Sequence, residues 1–503
     1  MSIDPITQWM DIFGGQNSNH TDSLRQDRTL VEMATAKNVS PYPTGKLFTR
    51  PGFSEIRATA LSGAPVVTGM FHLGGLADEF ILTASDGTIN RDNANPPGAI
   101  SGGTALTSGA TNLTRADIHE GKLIIVSQLN NVPQTIDASV TRADLGGTPP
   151  YGLDYKVFAR RGCMFKPTYA GTNYRTYMSF NSANDDHDAW TLPITVNKLN
   201  FGRENSKANV LGGEIFQAHL MAFTEDQVFP VYQTAAADLP LAFQDAVMNE
   251  EGGGPPIIHS VIAADNKLAW ISKGGDVKMM LPSREVISIG KAIQPYLLGL
   301  ADAYRTICVG AWEPKYRLFI WAVAESGATT NLNCVALHAD KINGSYQYFF
   351  LTISRQAWAM RRVSGQLRLI GGGYAGKFYN EFDSSTTGDL DNAASAIDAD
   401  IITPRHHLGL PDVRKRVPFF DMEVDPIGSE TITVSYRYDD DTSWTAFSSS
   451  FAVTGTDSKR KRFFFGKVFK RVQLRFEDAN SGERFRLIRY GFPDPTELFP
   501  TPN

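Results

Sequence analysis

The chain has little cysteine, little charge and no long hydrophobic run. Cys163, Cys308 and Cys334 are its only cysteines among 503 residues, without CxxC spacing or a nearby histidine pair. A disulfide framework and a zinc site therefore lack support, and the thiols read as small, buried apolar groups. Charged residues make up 20%, the formal net charge is −5 and the pI is near 6.0, so the overall basic footprint of a tight nucleic-acid binder is missing. Eighteen apolar residues never run together, and the opening MSIDPITQWMDIFGG has no basic stretch leading into an apolar one. Neither a membrane span nor a secretory leader is expected, which points to cytosolic origin. Gly-Lys occurs five times, followed by Leu, Leu, Ala, Phe or Val, so no phosphate-binding GxxxxGK[ST] loop exists.

What the chain does have is aromatic residues (11%), 44 glycines and 27 prolines, the composition of many short strands joined by turns. An apolar strand, a polar or glycine turn and a second strand recur in DEFILTASDGTINRD, EGKLIIVSQLNNVPQTID, KVFARRGCMF with YRTYMSF, GEIFQAHLMAFTEDQVFPVYQ, DNKLAWISKGGDVKMML, PKYRLFIWAVAES with NCVALHAD, and QLRLIGGGYAGKFYNEFD. The interval of roughly 40 to 55 residues is that of four-stranded blades, and the expected fold is an all-β, seven-bladed β-propeller. Asp86-Gly87, Asn130-Asn131, Glu225-Asp226 and Gly274-Gly275 supply candidate hairpin turns. A rough helical period in IGKAIQPYLLGLADAYR, broken by Pro295, predicts a short helix beside the fifth unit. After Asp400, about six closely spaced alternating strands predict a C-terminal β-sandwich. The expected division is an N-terminal arm and lead-in over 1–45, a propeller over 46–382, an acidic, small-residue linker over 383–400 and the sandwich over 401–503.

Few residues carry chemistry. GGGYAG (371–376) matches GxGxxG, yet KFYNEFD continues it as a strand where a phosphate-cradling helix should begin, so a hairpin is expected. NSANDDHDAW sets Asp185, Asp186 and Asp188 around His187. Paired carboxylates or a hard cation would need such groups, but close neighbours on one loop do not face each other across a substrate, and a solvated tip anchored by Trp190 is the expected state. YDDDTSW has only part of an Asp-box turn. His406 and His407, side by side, point to opposite faces of an extended segment and do not share a metal easily. The runs Arg414-Lys415-Arg416 and Lys459-Arg460-Lys461-Arg462 flank apolar strands, where such residues guard against edge pairing or meet an acidic partner. Trp9 and Phe13, with Met10 and Ile12, form an apolar patch expected to dock on the chain's own body or on a neighbouring subunit. Among these residues no nucleophile, base and oxyanion set assembles, so an enzyme is not expected, nor any cofactor or bound metal.

The stretch NVSPYPTGKLFTRPGF (38–53) uses Pro41 and Pro43 to hold an extended lead-in before a turn at Arg50-Pro51-Gly52. With FARRGCMF…MSFNSANDDHDAW, GGEIFQAHLMAFTEDQVFPVY, LAWISKGGDVKMMLPSREVISIGKAIQPYL and IITPRHHLGLPDVRKRVPFFDMEV…YDDDTSW, it resembles the tail hub, nozzle or DNA-stabilisation proteins of short-tailed bacteriophages, in order and spacing over nearly the whole chain. The resemblance implies a structural virion protein of the tail, assembled in the host cytoplasm. Six copies would form a ring below the portal and adaptor, meeting tail fibre or tailspike proteins, and genomic double-stranded DNA would pass through the lumen without tight binding or any membrane contact. It also implies that the strand from Lys46 to about Ile56 closes the last blade. The alternatives are a propeller enzyme acting on glycans, or a carbohydrate-binding tail accessory, through the Asp185, Asp186 and Asp188 loop.

Overall fold

The computed structural model describes the chain except residues 1–6, 12–32, 42–45, 74–78, 128–130, 191–196, 203–208, 237–238, 301–305, 342–345, 364, 387–388, 392, 409–411, 428, 449, 456, 479–483, 494–498 and 501–503. The protein is all-β, with one short α-helix, Gln294–Gly299, among the described residues. Pro295 stands in its first turn, where the missing N–H is harmless, and so starts the helix that the sequence pattern had it interrupting.

Seven antiparallel four-stranded meanders follow one another among the described residues. Their first strands are Val67–His72, Arg115–His119, Asp154–Phe158, Val210–Phe216, Ile262–Ala264, Val309–Glu313 and Ala357–Val363. Thr114 N–H donates to Thr68 O across the first junction, each later first strand packs on the next, and the seventh returns to the first. This is the arrangement of a β-propeller. The last sheet takes its fourth strand from the N-terminal side: Gly52–Glu55 pairs antiparallel with Phe378–Asp383, within the lead-in strand expected to close the ring. Arg355, clamped to the buried carboxylate of Glu381, lies 4.3 and 4.1 Å from the ring centroids of Phe53 and Tyr379, which themselves meet edge-on at 4.9 Å, so two cation–π contacts help hold that strand.

The hairpins joining first to second strands share one device. Glu120-Gly121, Ala159-Arg160, Gln217-Ala218 and Asp265-Asn266 all have positive φ, between 47° and 75°. Two-residue turns of this kind match the strand twist, and sheets two to five use them although Ala, Arg and Gln are poor residues for the left-handed region. Of the turns expected from sequence, Gly87 and Gly275 have positive φ, Glu225-Asp226 turns without it, and Asn130 lies outside the described residues.

The C-terminal strands form two further sheets. One orders Val39–Pro41, Leu47–Thr49, Phe485–Pro493, Phe419–Pro426 and Lys459–Phe464; the other contains Thr35–Lys37, Ala399–Ile402, Val472–Asp478, Ser429–Tyr438 and Thr445–Ala446. Their apolar residues share one core, in which Phe420 stacks on Phe463 at 5.0 Å and packs near Phe476 and Phe492. The second sheet is continuous with the sixth meander, because Lys37 pairs in parallel with Phe350. Strand pairing thus crosses the boundaries expected from sequence. Thr35–Lys37, Val39–Pro41 and Leu47–Thr49 join the C-terminal sheets, and 383–400 holds a hairpin, Asp389–Asp391 with Ala393–Ser395, and the start of strand Ala399–Ile402. Strands of three or four residues paired across more than 300 positions leave no local pattern to read.

One buried cluster holds this junction. Arg50, 1% exposed, reaches Asp389 with both terminal nitrogens, at 2.8 and 2.5 Å, and its Nε donates to Asn38 Oδ1 at 3.1 Å. Asn38, at φ 54°, also accepts from Thr352 N–H at 2.8 Å and donates to Asp398 O at 2.8 Å. Removing one partner strands a buried charge, and Arg50→Ala is expected to lower stability by about 3–5 kcal/mol in denaturant titrations. Residues 401–503 expressed alone are expected to stay unfolded by circular dichroism. Tethering 33–50 to that fragment should restore strand signal, since the fragment by itself lacks strands from both sheets.

Candidate functional site

The Asp185 loop lies between the third and fourth strands of the third sheet and reaches back to the second. His187 donates from Nδ1 to Glu120 Oε2 at 2.7 Å, and its Nε2 accepts from Lys122 Nζ at 2.8 Å. Glu120 sits on the positive-φ turn that aims it there, and the hydrogen bonds from His187 lower its pKa. Asp188 accepts from Gly146 N–H at 3.0 Å, Asp185 is paired with Arg160, and Trp190, fully buried, donates to His187 O at 2.8 Å. Glu120, Asp186 and His187 come close enough together to surround a cation. Both imidazole nitrogens are nevertheless engaged, one by a carboxylate and one by an ammonium, so the histidine has no lone pair to offer. The loop clasps two sheets.

The propeller axis is filled with compensated charge. Arg115 bonds Asp154 and Glu214, each at 3.0 Å, and Lys156 bonds Glu214 at 2.9 Å. Burial opposes the charge on Arg115, but Asp154 and Glu214 outweigh it and raise its pKa; burial likewise opposes ionised Glu214, and Lys156 and Arg115 outweigh it and lower its pKa. A cavity of about 210 Å³ remains, lined by Thr68–Phe71, Thr114–Ala116, His259, Val309, Gly310 and Gln356–Trp358. Burial, then Arg115, push His259 down to about 3, so it is neutral. A glycosidase needs two carboxyl groups facing a substrate. Here Asp154 and Glu214 face the same guanidinium.

The basic run of the C-terminal region is used largely within the fold. Register sets Asp421 opposite Arg462 and Glu423 opposite Arg460. Asp421, 1% exposed, holds Arg460 at 2.5 Å and Arg462 at 2.9 Å; Glu423 holds Arg489 at 2.7 Å; Asp425 holds Lys46 at 3.0 Å and Arg486 at 3.2 Å. Alternating acidic residues on one strand thus meet basic residues on its neighbours. Lys461 lies over the rings of Phe463 and Phe451 and donates to Ser450 O at 2.6 Å, and Lys459 is half-buried at the end of the strand. Arg414 and Arg416 are exposed, whereas Lys415 is buried, donates to His407 O at 2.6 Å, and is pushed down to about 8 by burial. Lys415 is therefore a structural group, which corrects its place among the surface contacts. Trp9 belongs to strand Thr7–Asp11, which pairs with residues 489–493 of the same chain; Phe13 lies outside the described residues. His406 is buried against Tyr490, bonded to its hydroxyl at 2.9 Å.

Sequence reading missed a cleft of about 710 Å³, lined by Glu313–Lys315, Arg362, Gly365–Arg368 and Asn380–Ser384. Its parts come from the sixth sheet's first hairpin and from all three long strands of the seventh. Lys315, Arg362 and Arg368 bring positive charge to it. Arg361 and Arg368 stand directly opposite in the hairpin, Arg361 lying over the ring of Phe80 and Arg368 favouring the ionised form of Asp383. Arg361-Arg362 is a run of only two, and Lys315 is far away in sequence, so no linear signal marked the site.

No family model matches the chain, and no curated protein matches its sequence. Among solved structures it is similar to YCF48 from Cyanidioschyzon merolae, with 9% identity and a TM-score of 0.39 over 66% of this chain and 98% of that one. It is also similar to exo-beta-1,3-galactanase from Phanerochaete chrysosporium, solved with galactose, with 8% identity and a TM-score of 0.27 over 70% and 97% of the two chains. Superpositions this loose carry nothing about function.

Glu313, at the cleft wall, accepts the backbone N–H of Tyr316 at 2.5 Å and is pushed up to about 7 by burial, against an ordinary 4.5. The folded state then binds more protons than the unfolded one between those values, so this group's contribution is full below about pH 4.5 and is lost as pH rises to about 7. Glu313→Gln is expected to gain stability relative to the parent across that interval, by up to about 3 kcal/mol. Paired denaturant titrations at several pH values check this; a difference independent of pH would refute it.

Proposed function

We propose that the protein is a structural subunit of a phage tail hub, a ring below portal and adaptor that retains the packaged genome and forms the channel for its ejection. On this reading the seven meanders are the blades of one propeller and the two C-terminal sheets form a sandwich. The observation that carries the proposal is the filled axis. With Arg115, Lys156, Asp154 and Glu214 neutralising one another there, these two carboxylates are not free to face a substrate. The glycan-directed alternative needs such a free pair, or an open Asp185 loop, and the loop is occupied by its own clasp. The net charge of −5 suits a lumen along which DNA slides, where a strongly basic wall would hold it.

A ring requires heterologous contacts that close by rotation, six copies by the resemblance. Cryo-electron micrographs of assembled tails are expected to show this subunit as a cyclic ring around the axis; a single axial copy would overturn the reading. Free protein is expected to bind duplex DNA weakly at physiological salt. Sub-micromolar binding that falls by roughly three to five decades between about 50 and 200 mM salt would mark a phosphate-gripping protein instead. For an assembly assay, Arg414→Ala with Arg416→Ala is the informative variant. Neutralising Arg460 and Arg462 would leave Asp421 buried and unpaired, confounding assembly with misfolding.

A further inference from the structure

We infer that the cavity left on the propeller axis is a binding site for a small neutral alcohol, a ring-sized apolar body carrying one hydroxyl. The charge network belongs to the second, third and fourth sheets, whereas the cavity of about 210 Å³ lies mostly against the first strands of the first, second, sixth and seventh. Much of its wall is apolar: Met70, Phe71, Val309, Ala357 and Trp358. Most of the polar side chains in the wall are engaged with the protein. The hydroxyls of Thr68 and Thr114 both meet that of Thr83, Gln356 bonds Tyr374 and Asn331, and Trp358 Nε1 donates to Val309 O. His259 is the exception. It stands on the turn Ile258–Ser260 that leads into the fifth sheet, and its Nε2–H donates to Thr114 O of the second sheet at 3.1 Å. That bond fixes the tautomer of a ring kept neutral by burial and by Arg115, so Nδ1 presents a lone pair. Nδ1 is buried and has no hydrogen-bond partner among the described residues. Buried acceptors are nearly always satisfied, and one that the chain leaves open calls for a donor from outside it.

The surroundings choose the donor. Arg115 and Lys156 already disfavour a proton on His259, so an ammonium group would be repelled in the same place. An anion would add a further negative charge beside Asp154 and Glu214, which already neutralise Arg115. A hydroxyl meets neither obstacle. Its O–H donates to His259 Nδ1, and its oxygen has a donor available in the same wall, since Arg115 bonds through Nε and Nη2 and its Nη1 has no hydrogen-bond partner among the described residues. A sugar would bring further hydroxyls against Met70, Phe71 and Val309, which cannot pair them. A dry cavity of about 150 Å³ accommodates benzene, so this one takes a single ring with a short polar arm. This inference stands whether or not the subunit forms a ring.

The test titrates the full chain with benzyl alcohol and with its isomer anisole, which has the same atoms but no O–H, and reads binding by saturation-transfer NMR. Benzyl alcohol is expected to bind saturably with a Kd of about 1 mM or below, as its size allows, and anisole about tenfold more weakly, the effect of leaving one buried acceptor unpaired. Benzoate, benzylammonium and glucose should each bind more weakly than benzyl alcohol. His259→Phe keeps an aromatic ring but removes the acceptor, and the preference for the alcohol over anisole should disappear in it. Should that variant fail to fold in a thermal melt, the ranking of the ligands on the parent still decides, with Trp358→Leu as a second variant expected to weaken both isomers and keep their order. The inference is overturned if benzyl alcohol does not saturate the parent, if anisole binds as tightly, if folded His259→Phe retains the preference, or if benzoate, benzylammonium or glucose binds more tightly than the alcohol.

Discussion

The junction of the molecule depends on one guanidinium. Arg50 is buried where the chain turns out of the C-terminal sheets and into the seventh sheet, and besides the carbonyl of its neighbour Pro51 its partners come from three separate segments: Asn38, Thr352 and Asp389. A buried ion pair adds little net stability over a well-packed apolar substitute, because desolvation offsets much of its attraction. Its effect here is on register. Each donor of the fork has one acceptor, so a slip of residues 47–55 along either sheet leaves a charge without a partner in the interior. The strands on both sides of Arg50 are short, three and four residues, and their ladders alone fix register weakly. The arginine supplies the specificity that strand length does not.

Local pattern carried the repeat but not the joins. Apolar strands such as KLIIV, HLMAFT and LFIWAV, separated by polar turns, were legible because each sheet is made mostly of strands consecutive in sequence. Turn chemistry was legible only where the residues matched the backbone. Asp265-Asn266 suits positive φ, but Ala159-Arg160 and Gln217-Ala218 take the same conformation because the strands on either side require it, so tertiary pairing overrides residue preference. The C-terminal strands were legible one by one. Their joining to Thr35–Lys37 and Leu47–Thr49 was not, since a three-residue strand has no period and its partners are remote.

Charge shows the same division between what is local and what the fold decides. Lys459 to Arg462 is the most conspicuous basic run in the sequence, yet the alternation of a strand sends its members to opposite faces. Arg460 and Arg462 complete a ladder with Asp421, while Lys461 rests on aromatic rings. A run of like charge in a strand is thus a statement about two faces, each with its own partners. The seventh sheet repeats the rule, because its register sets Arg361 opposite Arg368 and Arg362 opposite Leu367, so the two arginines of that run also go to opposite faces.

The filled axis and the open cleft belong together physically. In a ring of sheets the first strands converge, and side chains there must either be small or compensate one another, because water for stray charge is scarce. The close approach of Gly212 and Gly213 to Asp154 and to Phe165 meets the first need, and the network of Arg115 with Asp154, Lys156 and Glu214 meets the second. Neutralised in this way, Arg115, Asp154, Lys156 and Glu214 leave no charge of their own unpaired. Unpaired charge is tolerated only where solvent or a partner completes it, at hairpin ends outside the ring. Recognition of charged partners by this protein is accordingly expected at its hairpins and sheet edges.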